Sequence, residues 1–315
     1  MRCAIFALLV TASSFLGVST QAHADALLDE VVTFTGDVLY LQTKVTGLVI
    51  GAVRGGDVAI HGVGERSDGG DAPDGDTVLR IGSITKAFTG QVLAALAADG
   101  TVSLTQTVGK TAPDLGRGAD PNVAKLRLID IATQSSGLPR EVPHEHGPPD
   151  DPFAPITRDA FAEWLKTETL LFPPGTGVLY SNFAFDLLSI ALSEAAKEPY
   201  PDLLKKHVTS PLGMDDTSFV LTDAQRKRFM QGHGFDGKAL PNVPTGDVIV
   251  GSGGLYSTPK DLLRWMQWHL DRLSPEDAEV RMLDHAAYLV RDGLDPVSGM
   301  DESGHMDAMS LGWVV

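Results

Sequence analysis

One helical segment constrains this chain more than any other stretch of its sequence. Phe88, Val92 and Leu96 recur at the spacing of one helix face, within an alanine-rich run that reaches from Ile81 to a glycine stop signal at Gly100. The pattern predicts a helix with an apolar face, which other elements have to cover. We therefore treat this helix as the element around which the chain is organised.

The first turn of the predicted helix carries a serine and a lysine. Ser83 and Lys86 are three positions apart, so their side chains lie on the same face. A serine hydroxyl becomes a good nucleophile when a neighbouring base removes its proton, and a lysine is such a base only when it is neutral. Free lysine titrates near about 10.4, but burial and nearby positive potential can lower this pKa to about 7–8. Unpaired backbone N–H groups at the start of the helix would stabilise an oxyanion at Ser83.

The serine–lysine spacing alone is weak evidence for catalysis. Ser83 could simply cap the helix, and Lys86 could be a solvated side chain of its first turn. The same spacing occurs at Ser257 and Lys260, where it is better explained as the start of another helix. In that helix Thr258 would be the N-cap, followed by a proline in the first position and an acid in the first turn.

The N-terminus has the pattern of a secretory signal peptide. Arg2 precedes an apolar run from Ala4 to Val10, and Ala22-His23-Ala24 resembles a cleavage site of small residues. The apolar run is too short to span a bilayer. We expect residues 1–24 to be removed together with Cys3, the only cysteine. A secreted chain without cysteine is typical of the bacterial periplasm, and its fold has to rest on core packing.

Composition limits the partners that the protein can have. The 315 residues are 43% hydrophobic and 21% charged, as in an ordinary globular protein of one large domain or two. The formal net charge of −16 gives no electrostatic basis for binding nucleic acid or an anionic membrane. No segment after the signal is long and apolar enough to span a bilayer. The classes of partner that remain include a small-molecule or peptide substrate.

The order of elements predicts the fold class. A helix over 26–42 is followed by strands over 45–53 and 58–63 that share a hairpin turn, and a short strand at 78–81 enters the Ser83 helix. This order favours an antiparallel sheet flanked by helices over alternating βαβ units. Further helices are predicted near residues 125–134, 157–169, 183–197, 200–208 and 222–230.

A long proline-rich loop is predicted within the helical half of the chain, between Pro139 and Pro155. Such a loop could form the rim of a cleft. His144 and His146 within it could be metal ligands, but no third ligand stands at a known spacing. We therefore expect neither a metal nor another cofactor.

A second polar group follows a proline–glycine turn, at Tyr180 and Asn182. A tyrosine near a lysine can move a proton to a leaving group, and an asparagine can orient both a lysine and a substrate amide. The alternative is structural: Tyr180 could be a packed aromatic, and Asn182 could cap the next helix. Taken one at a time, the structural alternatives are the simpler explanation.

Taken together, these residues resemble the serine β-lactamase and penicillin-binding superfamily of the class C type, and within it the D-alanyl-D-alanine carboxypeptidase/endopeptidases. The resemblance covers about residues 45–315. It rests on the serine–lysine and tyrosine–asparagine motifs and on further segments in the family's order, namely Ser135-Ser136-Gly137-Leu138-Pro139, Pro173-Pro174-Gly175, Pro211-Leu212-Gly213-Met214, Gly251-Ser252-Gly253-Gly254-Leu255-Tyr256-Ser257-Thr258 and Leu311-Gly312-Trp313.

The resemblance implies a mechanism and a fold. Ser83 would attack a D-alanyl peptide or a β-lactam and form an acyl-enzyme, with Lys86 taking its proton. Tyr180 would be the partner base and proton donor to the leaving amine, Asn182 would hold the substrate amide, and the backbone N–H of Ser83 would form half of the oxyanion hole. The fold implied is a β-lactamase/transpeptidase-like α/β (α+β) domain, at 25–84 and 247–315, with a mostly helical domain at 85–246.

The sequence departs from the family pattern in one respect that bears on activity. Such enzymes carry a Lys/His-Thr/Ser-Gly motif on a strand after the Leu-Gly-Trp segment, and this chain contains no such tripeptide. The missing part would supply the second oxyanion donor and the C-terminal strands, and loss of one such donor typically costs about 10²–10³ in kcat. Either the 315 residues are part of a longer, active enzyme or they are a genuine remnant with little activity, and we expect impaired acyl transfer in this exact chain. Two alternatives stay open: a secreted esterase of the same fold, and a non-catalytic protein that binds muropeptides or penicillin.

Overall fold

A computed structural model of the protein describes residues 25–118, 120–234, 236–301 and 304–315. The predicted signal peptide, 1–24, lies outside the described residues. No helix in the described part of the chain is long and apolar enough to cross a membrane.

The described residues form α-helices and strands in a mixed order. The helices are α1 (Ala26–Thr43), α2 (Thr85–Ala98), α3 (Val108–Thr111), α4 (Leu128–Ala132), α5 (Arg158–Thr167), α6 (Asn182–Ala196), α7 (Tyr200–Leu204), α8 (Asp223–Arg226), α9 (Pro259–Leu270) and α10 (Ala278–His285). The strands are β1 (Gly47–Arg54), β2 (Asp57–Gly64), β3 (Leu79–Arg80), β4 (Val178–Leu179), β5 (Tyr256–Ser257), β6 (Leu289–Val290), β7 (Val297–Ser298) and β8 (Ala308–Met309).

The first helix and the hairpin form as the sequence predicts. β1 and β2 pair antiparallel with Arg54 opposite Asp57, so the turn lies where the glycines place it. α1 packs on this hairpin and buries Leu28 and Val32 against it. Gly36 is needed for close approach, because a Cβ at this position would lie 2.8 Å from the His61 ring of β2.

The remaining strands form short pairs within the described residues. β3 pairs antiparallel with β5, and β6 pairs antiparallel with β8. β4 pairs parallel with β7, which brings the residue after β4, Tyr180, next to a segment more than a hundred positions later in the chain. Three of the four strand pairs in the described residues are antiparallel, as the sequence predicts, and the parallel pair β4–β7 departs from that prediction.

Helix α2 is the centre of the core. Every residue from Thr85 to Leu96 is buried, because neighbouring elements cover all sides of this alanine-rich helix. Phe88 stacks on Trp265 of α9 with ring centroids 4.0 Å apart. Gly90 lets the C-terminal segment touch the helix, since a Cβ there would lie 1.9 Å from the Leu311 carbonyl oxygen.

The helix at Thr258 also begins as predicted. The Thr258 side chain accepts from the backbone N–H of Asp261, and Pro259 occupies the first position of α9. One boundary was predicted too long, because the helix expected over 222–230 is the single turn α8. The helix expected over 200–208 is α7 continued by a π-helical turn at Lys205–Thr209. One-turn elements of this kind are decided by packing rather than by periodicity.

Candidate active site

Ser83 lies in a 3₁₀ turn that connects β3 to α2. The turn spans Gly82–Ile84, and Gly82 adopts φ +53°, a conformation that favours glycine. The preceding Ile81 is fixed by its backbone N–H, which donates to the Leu255 carbonyl at 3.0 Å. The Ser83 side chain is exposed, so a substrate can reach its hydroxyl.

Lys86 is almost completely buried, with 3% of its surface exposed. Its ammonium nitrogen donates to Ser83 Oγ at 3.3 Å and to Asn182 Oδ1 at 2.5 Å. A third bond goes to the Ser252 carbonyl at 2.8 Å. The alternative of a solvated first-turn lysine is therefore wrong, because the packing of α2 leaves no side of its first turn in water.

Burial sets the charge balance at Lys86. Removal from water lowers the pKa of this amine below its usual range, because the charged form loses its hydration. Tyr180, with a smaller contribution from Asp186, acts against this shift and raises the pKa. The Glu141 carboxylate acts in the same upward direction. Burial and the neighbouring acidic groups thus change the pKa of this amine in opposite directions.

Tyr180 reaches the same hydroxyl from the other side. Its phenol donates to Ser83 Oγ at 2.6 Å. The Lys86 amine lies 4.7 Å from the centroid of its ring, and the Arg140 guanidinium lies 4.8 Å from that centroid. The alternative that Tyr180 is only a packed aromatic is therefore wrong, because its hydroxyl contacts Ser83.

Asn182 is the first residue of α6, and it does not cap this helix. The cap is Ser181, whose hydroxyl accepts from the Ala184 N–H at 2.9 Å. The capping alternative for Asn182 is therefore wrong. Because Ser181 takes that task, the Asn182 amide is available to accept from Lys86 and to donate to the Glu141 carboxylate.

Two acidic residues of the site were missed by sequence reasoning. Glu141 lies in the proline-rich loop and accepts from Asn182. Asp186 is fully buried on α6, and its Oδ1 accepts from the Ser252 N–H at 2.8 Å. Burial raises the pKa of Asp186 to about 7, against the opposing bond from Ser252. A signal for Asp186 was present: it is four residues after Asn182, on the same face of α6.

The glycine-rich segment that begins at Gly251 packs into the site. A Cβ at Gly251 would lie 2.0 Å from the Phe185 carbonyl oxygen, so only glycine fits. The Gly251 carbonyl accepts from the Thr89 hydroxyl of α2 at 2.7 Å. The segment therefore touches both α2 and α6, and this places the next carbonyl, that of Ser252, on Lys86.

The Leu311–Trp313 segment lies against the first turn of α2. The Gly312 N–H donates to the Ala132 carbonyl at 2.9 Å, and a Cβ at Gly312 would lie 2.7 Å from the Lys86 carbonyl oxygen. The segment thus supports the backbone that carries Ser83 and Lys86.

The proline-rich loop contributes to the site, but its histidines do not. The loop has no helix or strand over 139–155, and its first residues, Arg140 and Glu141, contact Tyr180 and Asn182 respectively. His144 and His146 are exposed and lie outside any group of three possible metal ligands in the described ranges.

Comparisons with known proteins match nearly the whole chain. A family model described as Beta-lactamase matches residues 22–315. The D-alanyl-D-alanine-carboxypeptidase/endopeptidase AmpH of Escherichia coli K12 is 34% identical over 327 residues, which cover 99% of this chain and 81% of AmpH. The crystal structure of a beta-lactamase/D-alanine carboxypeptidase from Yersinia pestis, complexed with citrate, has a TM-score of 0.78 and 36% identity, and the match covers 92% of this chain and 82% of that one.

More distant structures support the fold. A class C beta-lactamase from Rhodobacter sphaeroides has a TM-score of 0.69 at 23% identity, over 81% of this chain and 70% of its own. The predicted fold class, an α/β fold of the β-lactamase/transpeptidase type, is confirmed by these matches.

Proposed function

The chain belongs to the beta-lactamase family of serine hydrolases, and we propose that it cleaves D-alanyl-D-alanine peptides of peptidoglycan, or β-lactams, through an acyl-enzyme on Ser83. One observation carries this proposal. The Ser83 hydroxyl oxygen is contacted at the same time by the Lys86 amine, at 3.3 Å, and by the Tyr180 phenol, at 2.6 Å. A hydroxyl with two proton-transfer partners and an exposed position is the arrangement that nucleophilic catalysis requires.

Acylation begins with removal of the Ser83 proton. Because burial lowers the pKa of Lys86, a larger fraction of this amine is neutral near neutral pH and can accept that proton. The oxygen then attacks the carbonyl carbon of the scissile amide, and the developing oxyanion is stabilised by the backbone N–H of Ser83 at the start of the helix. The C–N bond breaks, and the leaving amine takes a proton through Tyr180. Water afterwards hydrolyses the ester that links the acyl group to Ser83.

Asn182 and Glu141 position the amine rather than exchange its proton. The Asn182 amide binds Lys86 through its oxygen and Glu141 through its nitrogen, so the carboxylate fixes the orientation of the amide. An amide held in this way can also bind the backbone amide of a peptide substrate. This arrangement supports the substrate-binding role of Asn182.

Covalent labelling tests the nucleophile. We expect the purified chain to form a stable adduct with a fluorescent penicillin, detected by gel fluorescence and intact-mass spectrometry, and the Ser83→Ala variant to form none. Release of D-alanine from a D-alanyl-D-alanine pentapeptide, followed by chromatography, tests the peptide substrate. Reversible binding without an adduct would favour a non-catalytic binding protein, and hydrolysis of short-chain esters without D-alanine release would favour an esterase. Absence of labelling in the folded, unmodified chain would contradict the role of Ser83 as the nucleophile.

We also propose a periplasmic location and a two-domain organisation. Residues 1–24 would direct export, so the mature protein would begin at Asp25, which N-terminal peptide mass spectrometry of the exported protein can test. The α/β domain (25–84 and 247–315) carries Ser83, and the helical domain (85–246) carries Tyr180 and Asn182. Contacts between these residues would then lie at the boundary of the two domains.

A further inference from the structure

A compact group of three ligand-type side chains lies away from Ser83, where α9 meets α10. His269 is near the end of α9, and Asp284 and His285 are the last two residues of α10. His269 Nδ1 is 2.7 Å from His285 Nε2 and 3.7 Å from Asp284 Oδ2, and the last pair, His285 Nε2 and Asp284 Oδ2, is 3.5 Å apart. In the described residues this is the group of three whose ligand atoms lie close enough to share one ion.

The three separations fit the radius of a metal ion. A point equidistant from three atoms so spaced lies about 1.9 Å from each, and an ion slightly above their plane lies about 2.0–2.1 Å from all three. These are the bond lengths of Zn²⁺ to imidazole nitrogen and to carboxylate oxygen. We propose that His269, Asp284 and His285 bind one divalent transition-metal ion of the zinc type, with water in the fourth position.

Burial without partners supports a ligand role for this group. Asp284 is fully buried, and its Oδ1 has no hydrogen-bond partner among the described residues. An uncompensated buried carboxylate is costly, and a bound cation compensates it. The other oxygen, Oδ2, accepts from the Trp313 Nε1–H at 3.1 Å, which orients the carboxylate toward the two imidazoles.

The charge at the group depends on its three members and on Arg281. A metal ion binds the neutral form of an imidazole, which keeps a lone pair on one ring nitrogen. Arg281 acts on the cluster as a positive charge, but its guanidinium donates to the Ser274 and Glu276 carbonyls and lies 5.1 Å from the Trp268 ring centroid. One carboxylate and two neutral imidazoles would leave a net charge of +1 on the zinc site.

The surroundings of the three ligands are mostly aromatic. The His269 ring makes edge contacts with the rings of Trp265, Trp268 and Trp313, which limit the access of water. His285 has 27% of its side chain exposed, so the ion and its water would enter from that side. Since Trp313 also stacks on Trp265 at 5.4 Å, the ion would link α9, α10 and the C-terminal segment that supports α2.

Metal content of the tag-free protein tests the proposal. After incubation with Zn²⁺ and removal of free metal, we expect close to one zinc per chain by inductively coupled plasma mass spectrometry. His285→Gln and Asp284→Asn should each weaken binding by more than about 100-fold, because each removes a direct ligand. His144→Gln is the matched control, and its zinc content should equal that of the unmodified chain.

Cobalt and thermal unfolding make the result independent of the variants' folding. Co²⁺ should give the visible d–d bands of a tetrahedral site in the unmodified chain, and Zn²⁺ should displace it. A chelator should lower the melting temperature of the unmodified chain and leave that of His285→Gln unchanged. Absence of both zinc and the cobalt bands in the unmodified chain, or equal zinc content in His285→Gln, would overturn the proposal and leave a hydrogen-bonded imidazole pair. Penicillin labelling of Ser83 does not depend on either outcome.

Discussion

Replacement of Tyr180 by phenylalanine separates the chemical role of this residue from its packing. The variant loses the 2.6 Å bond to Ser83 Oγ and keeps the ring between Lys86 and Arg140, whose charged groups lie 4.7 and 4.8 Å from its centroid. A positioned proton-transfer group contributes about 10²–10⁴ in rate, which corresponds to about 2.7–5.4 kcal/mol of activation free energy. The bond lost ends on an exposed serine, so the free energy of unfolding should fall by less than about 1.5 kcal/mol.

Stopped-flow acylation by a fluorescent penicillin measures the first quantity, and urea unfolding measures the second. Tyr288→Phe is the matched control, because its hydroxyl also makes a single bond, to the Leu283 carbonyl at 2.7 Å. We expect that control to lose a similar amount of stability and to keep its acylation rate. If Tyr180→Phe acylated as fast as the unmodified chain, the assignment of Tyr180 to proton transfer would be refuted.

Three further variants test the charge balance and the packing of the site. Glu141→Gln removes a carboxylate that raises the pKa of Lys86. The part of the pH profile of kcat/KM that rises with pH should therefore move to lower pH. An unchanged profile would contradict the electrostatic coupling of Glu141 to Lys86. Burial raises the pKa of Asp186 to about 7, so between about pH 4 and 7 the folded chain binds more protons than the unfolded chain and loses stability as the pH rises. The free energy of unfolding of Asp186→Asn, measured with urea, should depend less on pH in that window. An equal dependence on pH would exclude Asp186 as its source. Gly90→Ala should lower the free energy of unfolding by about 1–3 kcal/mol, because its Cβ would lie 1.9 Å from a backbone carbonyl oxygen. The control Gly232→Ala, whose Cβ would meet no atom within 4 Å, should change this free energy by less than about 0.5 kcal/mol. Equal urea midpoints for the two variants would contradict the close contact at Gly90.

Periodicity and turn chemistry predicted the elements that are long or locally determined. The hairpin of β1 and β2, the helix α1 and the start of α9 at Thr258 depend on residues next to one another in the sequence. The short pair of β4 with β7 could not be predicted in the same way. Its strands are two residues long, and their pairing depends on contacts between distant segments.

The residues of the active site also differ in whether the local sequence predicts their position. Ser83 lies in the 3₁₀ turn before α2 and Lys86 in the first turn of α2, so the local spacing of three residues is enough to bring their side chains together. Glu141 lies in a loop without regular structure, and nothing in the local sequence indicates that its carboxylate reaches Asn182. The group of His269, Asp284 and His285 was missed for a related reason, because its members come from two helices whose crossing brings them together.

The environment of Lys86 explains why the acids around it matter for a lysine base. Burial without acidic neighbours would lower the pKa of this amine further and favour its neutral form, which would leave it poorly placed to hold the proton that it takes from Ser83. Tyr180 and, more weakly, Asp186 and Glu141 raise its pKa again, so the protonated amine is stabilised after the transfer. Because the rate depends on both the neutral and the charged form, we expect the most efficient pKa to lie near the working pH. A more exposed lysine would favour the charged form, and a buried lysine without these acids would favour the neutral form. Either change would slow the step that needs the other form.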